Sequence, residues 1–190
     1  MRETPVIAEV RTERLTLRPL RAEDRTEFLR IHTISADFFR PWFPLRDVSL
    51  DAQFDQELAK NRGEARHFRW TAELAEGRLA GFFNLSNVVR GAFQNASASW
   101  AVSADLAGQG YATEAVLGML DLAFSKKQGL GLHRVQAAII PANERSLRLA
   151  ERVGLRREGY AERYLQIAGR WQDHWMHAKT AEEHELRYLS

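Results

Sequence analysis

Residues 107–115 read Ala-Gly-Gln-Gly-Tyr-Ala-Thr-Glu-Ala, two glycines one residue apart directly before an amphipathic run. Gly108 and Gly110 carry no Cβ, so a ligand can come close to the main chain there. A helix that opens at this point leaves the N–H groups of roughly Gly108 to Ala112 without intrahelical partners. With the positive end of the helix dipole, those donors suit a pyrophosphate. The spacing is not G-x-G-x-x-G, and no Lys-Ser/Thr pair follows to make a Walker loop. Taken alone, the pattern fits equally well a tight strand-to-helix turn that binds nothing. The flanking residues shift that balance. Trp100-Ala101-Val102 ends the segment before the turn, and Pro141, Asn143 and Ser146 follow the next strand. Ser146 lies one helical turn beyond Asn143, so the two share a side. If the two strands splay apart here, backbone groups near Val102 can hold an extended amide-bearing ligand as a pseudo-strand. A diphosphate at the helix end with an amide-rich arm along the strand describes coenzyme A.

The elements that must position these residues follow from hydrophobic periodicity. Residues 12–18 alternate and read as a strand that Pro19 stops; residues 22–32 read as a helix burying Phe28, Leu29 and Ile31, with Glu23 and Asp24 in its first turn. Residues 37–47 hold four large aromatics and two prolines and read as a loop or broken helix. Ser49 caps a helix to about Asn61. Strands follow over 67–75, 78–89 and 95–103, the first two joined by a Glu76-Gly77 turn. Residues 110–127 form a strong amphipathic helix. Residues 132–140 are mostly apolar, as in a strand buried on both faces. A short helix over 143–153 closes at Gly154, and a hairpin over 156–166 and 170–179 turns at Ala168-Gly169. The tail from Thr180 is polar. The order is β-α-α-β-β-β-α-β-α-β-β, an α+β arrangement: a mixed, mostly antiparallel sheet of about seven strands with helices on both faces.

Composition narrows the function classes. The 190 residues are 45% hydrophobic and 27% charged, the balance of a globular chain, and no repeat or linker divides them, so one domain is expected. No apolar run is long enough to cross a membrane, and the N-terminal stretch has no signal-peptide core, so a cytoplasmic setting without a membrane partner is expected. Zero cysteines exclude disulfides, thiolate metal sites and a cysteine nucleophile. A net charge of +2 does not argue for wrapping DNA. The basic set is nonetheless 23 Arg and 4 Lys, and Arg forks well onto phosphate and carboxylate.

The run over residues 98–123 resembles the acyl-CoA-binding motif of the GNAT acetyltransferases. The pieces PANERS (141–146), LRREG (155–159) and YLQIAGRWQDH (164–174) resemble the RimJ/RimL branch of that family, the ribosomal-protein N-terminal acetyltransferases. TERLTLRPL (12–20), FFRPWFPLRD (38–47) and NLSNVVRGAF (84–93) extend the resemblance in the family's order, over about residues 11–180. The last two, with the segment over 157–174, are most similar to the RimJ type, which acetylates an N-terminal alanine of a small-subunit ribosomal protein. One position departs. The family's turn usually begins with Arg or Gln, as [Arg/Gln]-x-x-Gly-x-[Gly/Ala]; aligned on Gly110 and Ala112, that position is Ala107.

The resemblance implies a GNAT fold and direct acetyl transfer from acetyl-CoA, as cosubstrate, to an amine in a ternary complex, with no metal. It assigns Trp100, Val102, Gly108, Gln109, Gly110, Tyr111, Ala112, Thr113 and Asn143 to the coenzyme. It assigns a backbone N–H near Val102 to the thioester carbonyl and Ser146 to protonation of the leaving thiolate. Asn143 also fits a helix N-cap, and Ser146 a hydroxyl bonded within its own turn. No base is named: a water near Asn84 or Ser99 suffices for an α-amine with a pKa near 8, while Glu158 and Asp173 read as structural charges. Tyr164, Trp42 and Phe43 either bound the acceptor site or pack. His174 and His177, three apart on a strand, point to opposite faces and read as non-ligands. Arg145, Arg148, Arg152, Arg156 and Arg157 read as a solvated face, with nucleotide phosphate or an acidic ribosomal surface as alternatives. The expected acceptor is a protein N-terminal amine, Ala or Ser of a ribosomal protein, on a monomer or homodimer. The rivals are a small polyamine or aminoglycoside, which an acidic acceptor cleft would favour, and a CoA-binding module without turnover.

Overall fold

The structure is a computed structural model that describes residues 9–44, 47–63 and 66–186. Residues 45–46 of the expected loop and 187–190 of the expected tail lie outside that set. An eight-stranded sheet runs in the order β1-β2-β3-β4-β5-β6-β8-β7. The strands are β1 (Val10–Arg11), β2 (Leu15–Pro19), β3 (Phe68–Leu74), β4 (Leu79–Val89), β5 (Asn95–Val102), β6 (Arg134–Ile139), β7 (Arg156–Ile167) and β8 (Arg170–Thr180). The helices are α1 (Arg25–Ile34), α2 (Ala36–Phe39), α3 (Leu50–Gly63), α4 (Tyr111–Phe124), α5 (Glu144–Arg152) and α6 (Ala181–Glu185).

The strand beyond the expected seven is β1, two residues pairing Val10 with Leu17 and Arg11 with Thr16. It is too short for a period-2 signal. Ala22–Asp24 is a 3₁₀ turn rather than the first turn of α1, and Leu29 is half-buried, whereas Phe28 and Ile31 are buried. The expectation for β6 is corrected. Its residues alternate between half-buried and buried, because only Val135, Ala137 and Ile139 face the core shared with α4 and α5.

Alternation along the strands divides the interior in two. Leu15, Leu17, Trp70, Phe83 and Leu85 pack with Val116, Met119 and Leu120 of α4 and with Leu149 and Ala150 of α5. On the other face, Phe82 and Leu79 pack with Phe28 and Ile31 of α1 and Phe54 of α3. Beneath α1, the Arg18 guanidinium reaches Asp24 at 2.8 Å and Glu73 at 2.7 Å, with the Arg18 and Asp24 side chains 4% and 5% exposed. Two carboxylates against one buried guanidinium satisfy its donors and pin the start of α1 to β2 and β3.

β5 and β6 are the parallel neighbours, and they pair only at Asn95↔Arg134, Ala96↔Val135 and Ser97↔Gln136. Beyond Ser97, β5 continues against β4 as far as Val102, while β6 continues against β8 as far as Ile139. The sheet therefore forks from Ala98 onward, and the glycine turn lies past the end of the β5 arm.

Candidate functional site

The fork supplies the slot. Strand edges that part leave main-chain donors and acceptors on both arms, and such groups need partners. The turn that follows β5 is held firmly. Ser103 Oγ donates to Asp105 at 2.5 Å, and this hydroxyl contact is the main cause that holds the Asp105 carboxyl below its usual range. Arg78 reaches the same carboxylate at 2.6 Å, and the N–H of Ala104 donates to buried Ser35. Gly108 and Gly110 take φ of +82° and +88°, and Gly110 is the N-cap of α4. These left-handed values explain the glycines: an L-residue pays a steric penalty there. A Cβ on Gly108 would meet nothing within 4 Å, so the space before the turn is open. Arg14 braces the turn from behind, donating to the Gln109 carbonyl at 3.0 Å and pairing with Glu114 at 2.7 Å. Its guanidinium lies 4.5 Å from the centre of the Tyr111 ring.

Ser146 and Asn143 come to the same fork from the other arm. Asn143 caps α5, its Oδ1 accepting from the N–H of Ser146 at 3.2 Å. Trp100 Nε1 donates to Ser146 Oγ at 3.3 Å. With its oxygen accepting from the indole, the Ser146 hydroxyl keeps its proton for another acceptor. Trp100, Ser146 and Asn143 thus form a chain across the split, and Val102 lies at its β5 end. Arg152, on the last turn of α5, reaches Thr113 Oγ1 at 3.4 Å, beside the N-terminus of α4. It places a guanidinium next to the turn in which Ala107 contributes none.

The other basic side chains do not gather there. Arg145 lies over the Phe38 ring, Arg157 over Trp175, and Arg148 pairs with Glu144 within α5. Arg156 pairs with Glu158 and Glu183. The carboxylates considered as bases are ion-paired or bonded elsewhere. The guanidinium of Arg134, with burial opposing and Arg156 assisting, holds Glu158 down to about 2, which removes its use as a base. Asp173 accepts from the Arg163 N–H and the Tyr160 hydroxyl, each at 2.7 Å, and is likewise lowered. Tyr164 lies against His174 on the β7–β8 hairpin. Burial lowers the pKa of both His174 and His177. Among the described residues no three His, Asp or Glu side chains converge as a metal site.

On the opposite face of β5, a cavity of about 540 Å³ opens between α1, α2, α3 and strands β3 to β5. Its wall near the fork carries Asn84, Ser99 and Ala101, and Asn84 Nδ2 donates to Ser99 Oγ at 3.2 Å. Phe43 lines it, with Phe28, Phe39 and Phe82; Trp42 is half-buried and is not part of that wall. His32 also lines it, its ring 4.0 Å from that of Phe28 and its Nδ1 against the Phe28 carbonyl at 2.8 Å. Among the described residues, the charged ones lining it are Glu57, Lys60, Arg69 and Arg40. Periodicity does not single these out. Glu57 and Lys60 look like an ordinary exposed i,i+3 pair, and Arg69 meets them only through strand register.

This combination of a forked mixed sheet, a glycine turn capping a helix at the fork and a cavity on the opposite face defines an acyltransferase architecture. Residues 14–156 match the acetyltransferase (GNAT) domain family, and the chain belongs to that family as a GNAT N-acetyltransferase. Enzymes of this family use acetyl-CoA. The chain is 33% identical to a probable N-acetyltransferase, YjcK, of Bacillus subtilis, over 83% of this chain and 89% of that one. It is 30% identical to the [ribosomal protein uS5]-alanine N-acetyltransferase of Escherichia coli, over 89% of each chain. Among solved structures it resembles Mycobacterium smegmatis RimJ in complex with CoA-disulfide, with a TM-score of 0.78 and 30% identity over 89% of this chain and 83% of that one. A spermidine N-acetyltransferase from Vibrio cholerae, in complex with CoA and spermine, shares the fold at 22% identity and a TM-score of 0.78, covering 92% and 99% of the two chains.

Proposed function

We propose that the chain transfers acetyl from acetyl-CoA to the N-terminal α-amine of a protein, with alanine or serine of a ribosomal protein as the acceptor. The observation that carries this reading is the charge of the acceptor cavity. Among the described residues, Lys60 and Arg69 line it against the carboxylate of Glu57, with Arg40, paired with Asp37, beside them. A polyamine would be drawn to the opposite balance, so the cavity favours the N-terminal amine over the polycation. The resemblance to the uS5-alanine enzyme of E. coli supports the same choice.

The residues present fit the coenzyme. The fork leaves main-chain groups of Ala98 to Val102 to pair with an amide-rich arm, and the open, glycine-lined turn presents N–H donors from Gly108 to Ala112 to a pyrophosphate. Gln109, Tyr111 and Thr113 flank it, with Arg152 beside Thr113. When bound, acetyl-CoA supplies the acetyl group as a thioester. The N–H near Val102 polarises the thioester carbonyl. Ser146, oriented by the Trp100 indole, donates a proton towards the leaving sulfur. A water on Asn84 and Ser99 takes the proton of the attacking amine at the mouth of the cavity. The chain has no cysteine to form an acyl-thioenzyme, which favours direct attack in a ternary complex.

The test is acetylation of short peptides with free N-terminal Ala or Ser, followed by mass spectrometry. Ser146→Ala is expected to lower kcat about 100-fold, within the range of general acid catalysis, while CoA affinity measured by calorimetry changes by less than about twofold. Peptides left unmodified while spermidine is acetylated would overturn the reading. CoA binding with no acetyl transfer to any amine would favour a binding module.

A further inference from the structure

We infer that the cavity sorts acceptors by charge, taking a peptide whose third or fourth residue is Asp or Glu, and that Arg69 is the residue that reads that carboxylate. The inference rests on the acceptor amine arriving through this cavity. Register sets the distance. Arg69 pairs with Asn84 across β3 and β4, and Asn84 pairs with Ser99 across β4 and β5, so the three occupy one cross-strand row. Two interstrand spacings of about 4.8 Å put the Arg69 main chain about 10 Å from that of Ser99. An extended peptide rises about 3.3 Å per residue. With its amine over β5 at the fork, its third or fourth residue therefore lies over Arg69.

The chemistry at that point is cationic and fixed. The Arg69 side chain is 15% exposed and lies 2.5 Å from Glu57. Its guanidinium is 5.0 Å from the Phe82 ring centre and 5.9 Å from that of Phe28. The aromatic walls and the ion pair hold its plane, and its charge does not titrate away. Lys60, at the rim, reaches the same carboxylate at 3.1 Å. Among the described residues, two cations share this one carboxylate, an excess of positive charge on that wall. Arg40 also lines the cavity but is paired at 2.8 Å with Asp37. A peptide carboxylate meets a guanidinium suited to its geometry, whereas a lysine side chain or a second ammonium of a polyamine meets like charge in a partly desolvated site.

Two hexapeptides with N-terminal Ala, identical except for Glu or Lys at position 3, test this beside a second pair varied at position 4 and spermidine. The expected result for the unaltered enzyme is a preference of about tenfold or more in kcat/KM for Glu over Lys in at least one pair, carried by KM. Glu57→Gln/Arg69→Gln, which removes both charges but keeps hydrogen-bonding side chains, should bring that ratio to within about twofold. Lys60→Gln, on the exposed rim, should lower it part-way and serves if the double variant does not fold. A purely structural role for Arg69 would slow both peptides together and leave the ratio intact. Equal use of Glu and Lys peptides in both pairs, or a ratio unchanged in the variants, overturns the inference while leaving N-terminal acetylation standing. Spermidine acetylated with all four peptides untouched overturns the underlying reading as well.

Discussion

The two faces of β5 solve the problem of holding a charged ligand in opposite ways. On the α4 face, the turn at Gly108 and Gly110 offers backbone N–H groups, whose positions are set by dihedral angles and by braces such as Arg14. On the α1–α3 face, the cavity offers long side chains whose positions depend on one another, Arg69 on Glu57 and Glu57 on Lys60. The first arrangement fails only if the backbone is forced to change. The second can be retuned one residue at a time. A shared cosubstrate on the first face and a variable acceptor on the second is the division of labour such a difference permits.

Substitutions can separate the two faces. The largest effect is expected from Asp24→Ala, which leaves the buried Arg18 guanidinium with one of its two carboxylates, Glu73, and loosens the seat of α1. Breaking a buried pair from one side costs roughly 3–5 kcal/mol, to be read from the urea midpoint. Saturating CoA should recover part of it by mass action, because its side of the sheet is untouched. Gly110→Ala is next. At φ +88°, with a Cβ 3.2 Å from Arg14 Nη2, strain of roughly 1–3 kcal/mol is expected. CoA affinity by calorimetry should fall tenfold or more, while an N-acetylated product peptide still binds the cavity. Equal loss of both ligands would mean the two faces are not separable.

A smaller, pH-dependent effect belongs to Glu158. Its carboxyl is held down to about 2 by Arg134 and Arg156, from an ordinary value of 4.5. A depressed acid contributes its stability above the unfolded value, and that contribution drains away as pH falls from about 4.5 through about 2. Urea midpoints of the unaltered protein should drop across that window, and Glu158→Gln should flatten the drop. The smallest effect is expected from Arg148→Ala, whose exposed i,i+4 pair with Glu144 is worth under about 0.5 kcal/mol. It should leave both ligands unaffected, as befits a side chain belonging to neither face.

The same contrast explains what was legible beforehand. Strand and helix order, the positive-φ glycines and the Asn143 cap follow from local spacing, and each lies within a few residues of its cause. The fork entered only as a condition on the strands before Val102 and Pro141, and the register of β5 and β6 meets it. β1 was missed because two residues carry no period. The burial of β6 was misjudged because its apolar run hides an alternation in which only Val135, Ala137 and Ile139 face the core. Asn84, Ser99 and Phe43 of the cavity wall were picked out from the sequence, but its charged part was invisible for a related reason. Arg69, Asn84 and Ser99 are neighbours only through cross-strand register, and Glu57 comes to them from a helix packed across the sheet. Glu158 and Asp173 read as structural charges from the sequence, and their partners, Arg134 for the first and Tyr160 with the Arg163 N–H for the second, agree.

The fork has one more consequence, for how the chain assembles. Strands β1 to β5 are each paired with the next in sequence, although α1 to α3 intervene between β2 and β3, and β7 and β8 form a local hairpin. The two groups meet directly at only three parallel residue pairs between β5 and β6, bridged by the crossover through α4. Such non-local pairing is the slow kind to form. Refolding should show the seam closing last, by hydrogen exchange at Arg134, whose N–H donates to the Gln94 carbonyl across it, measured against Leu17 and Phe83. A coenzyme lying along the open part of that seam extends a ladder the chain itself leaves short. Its binding should therefore slow unfolding by clamping together two separately assembled halves.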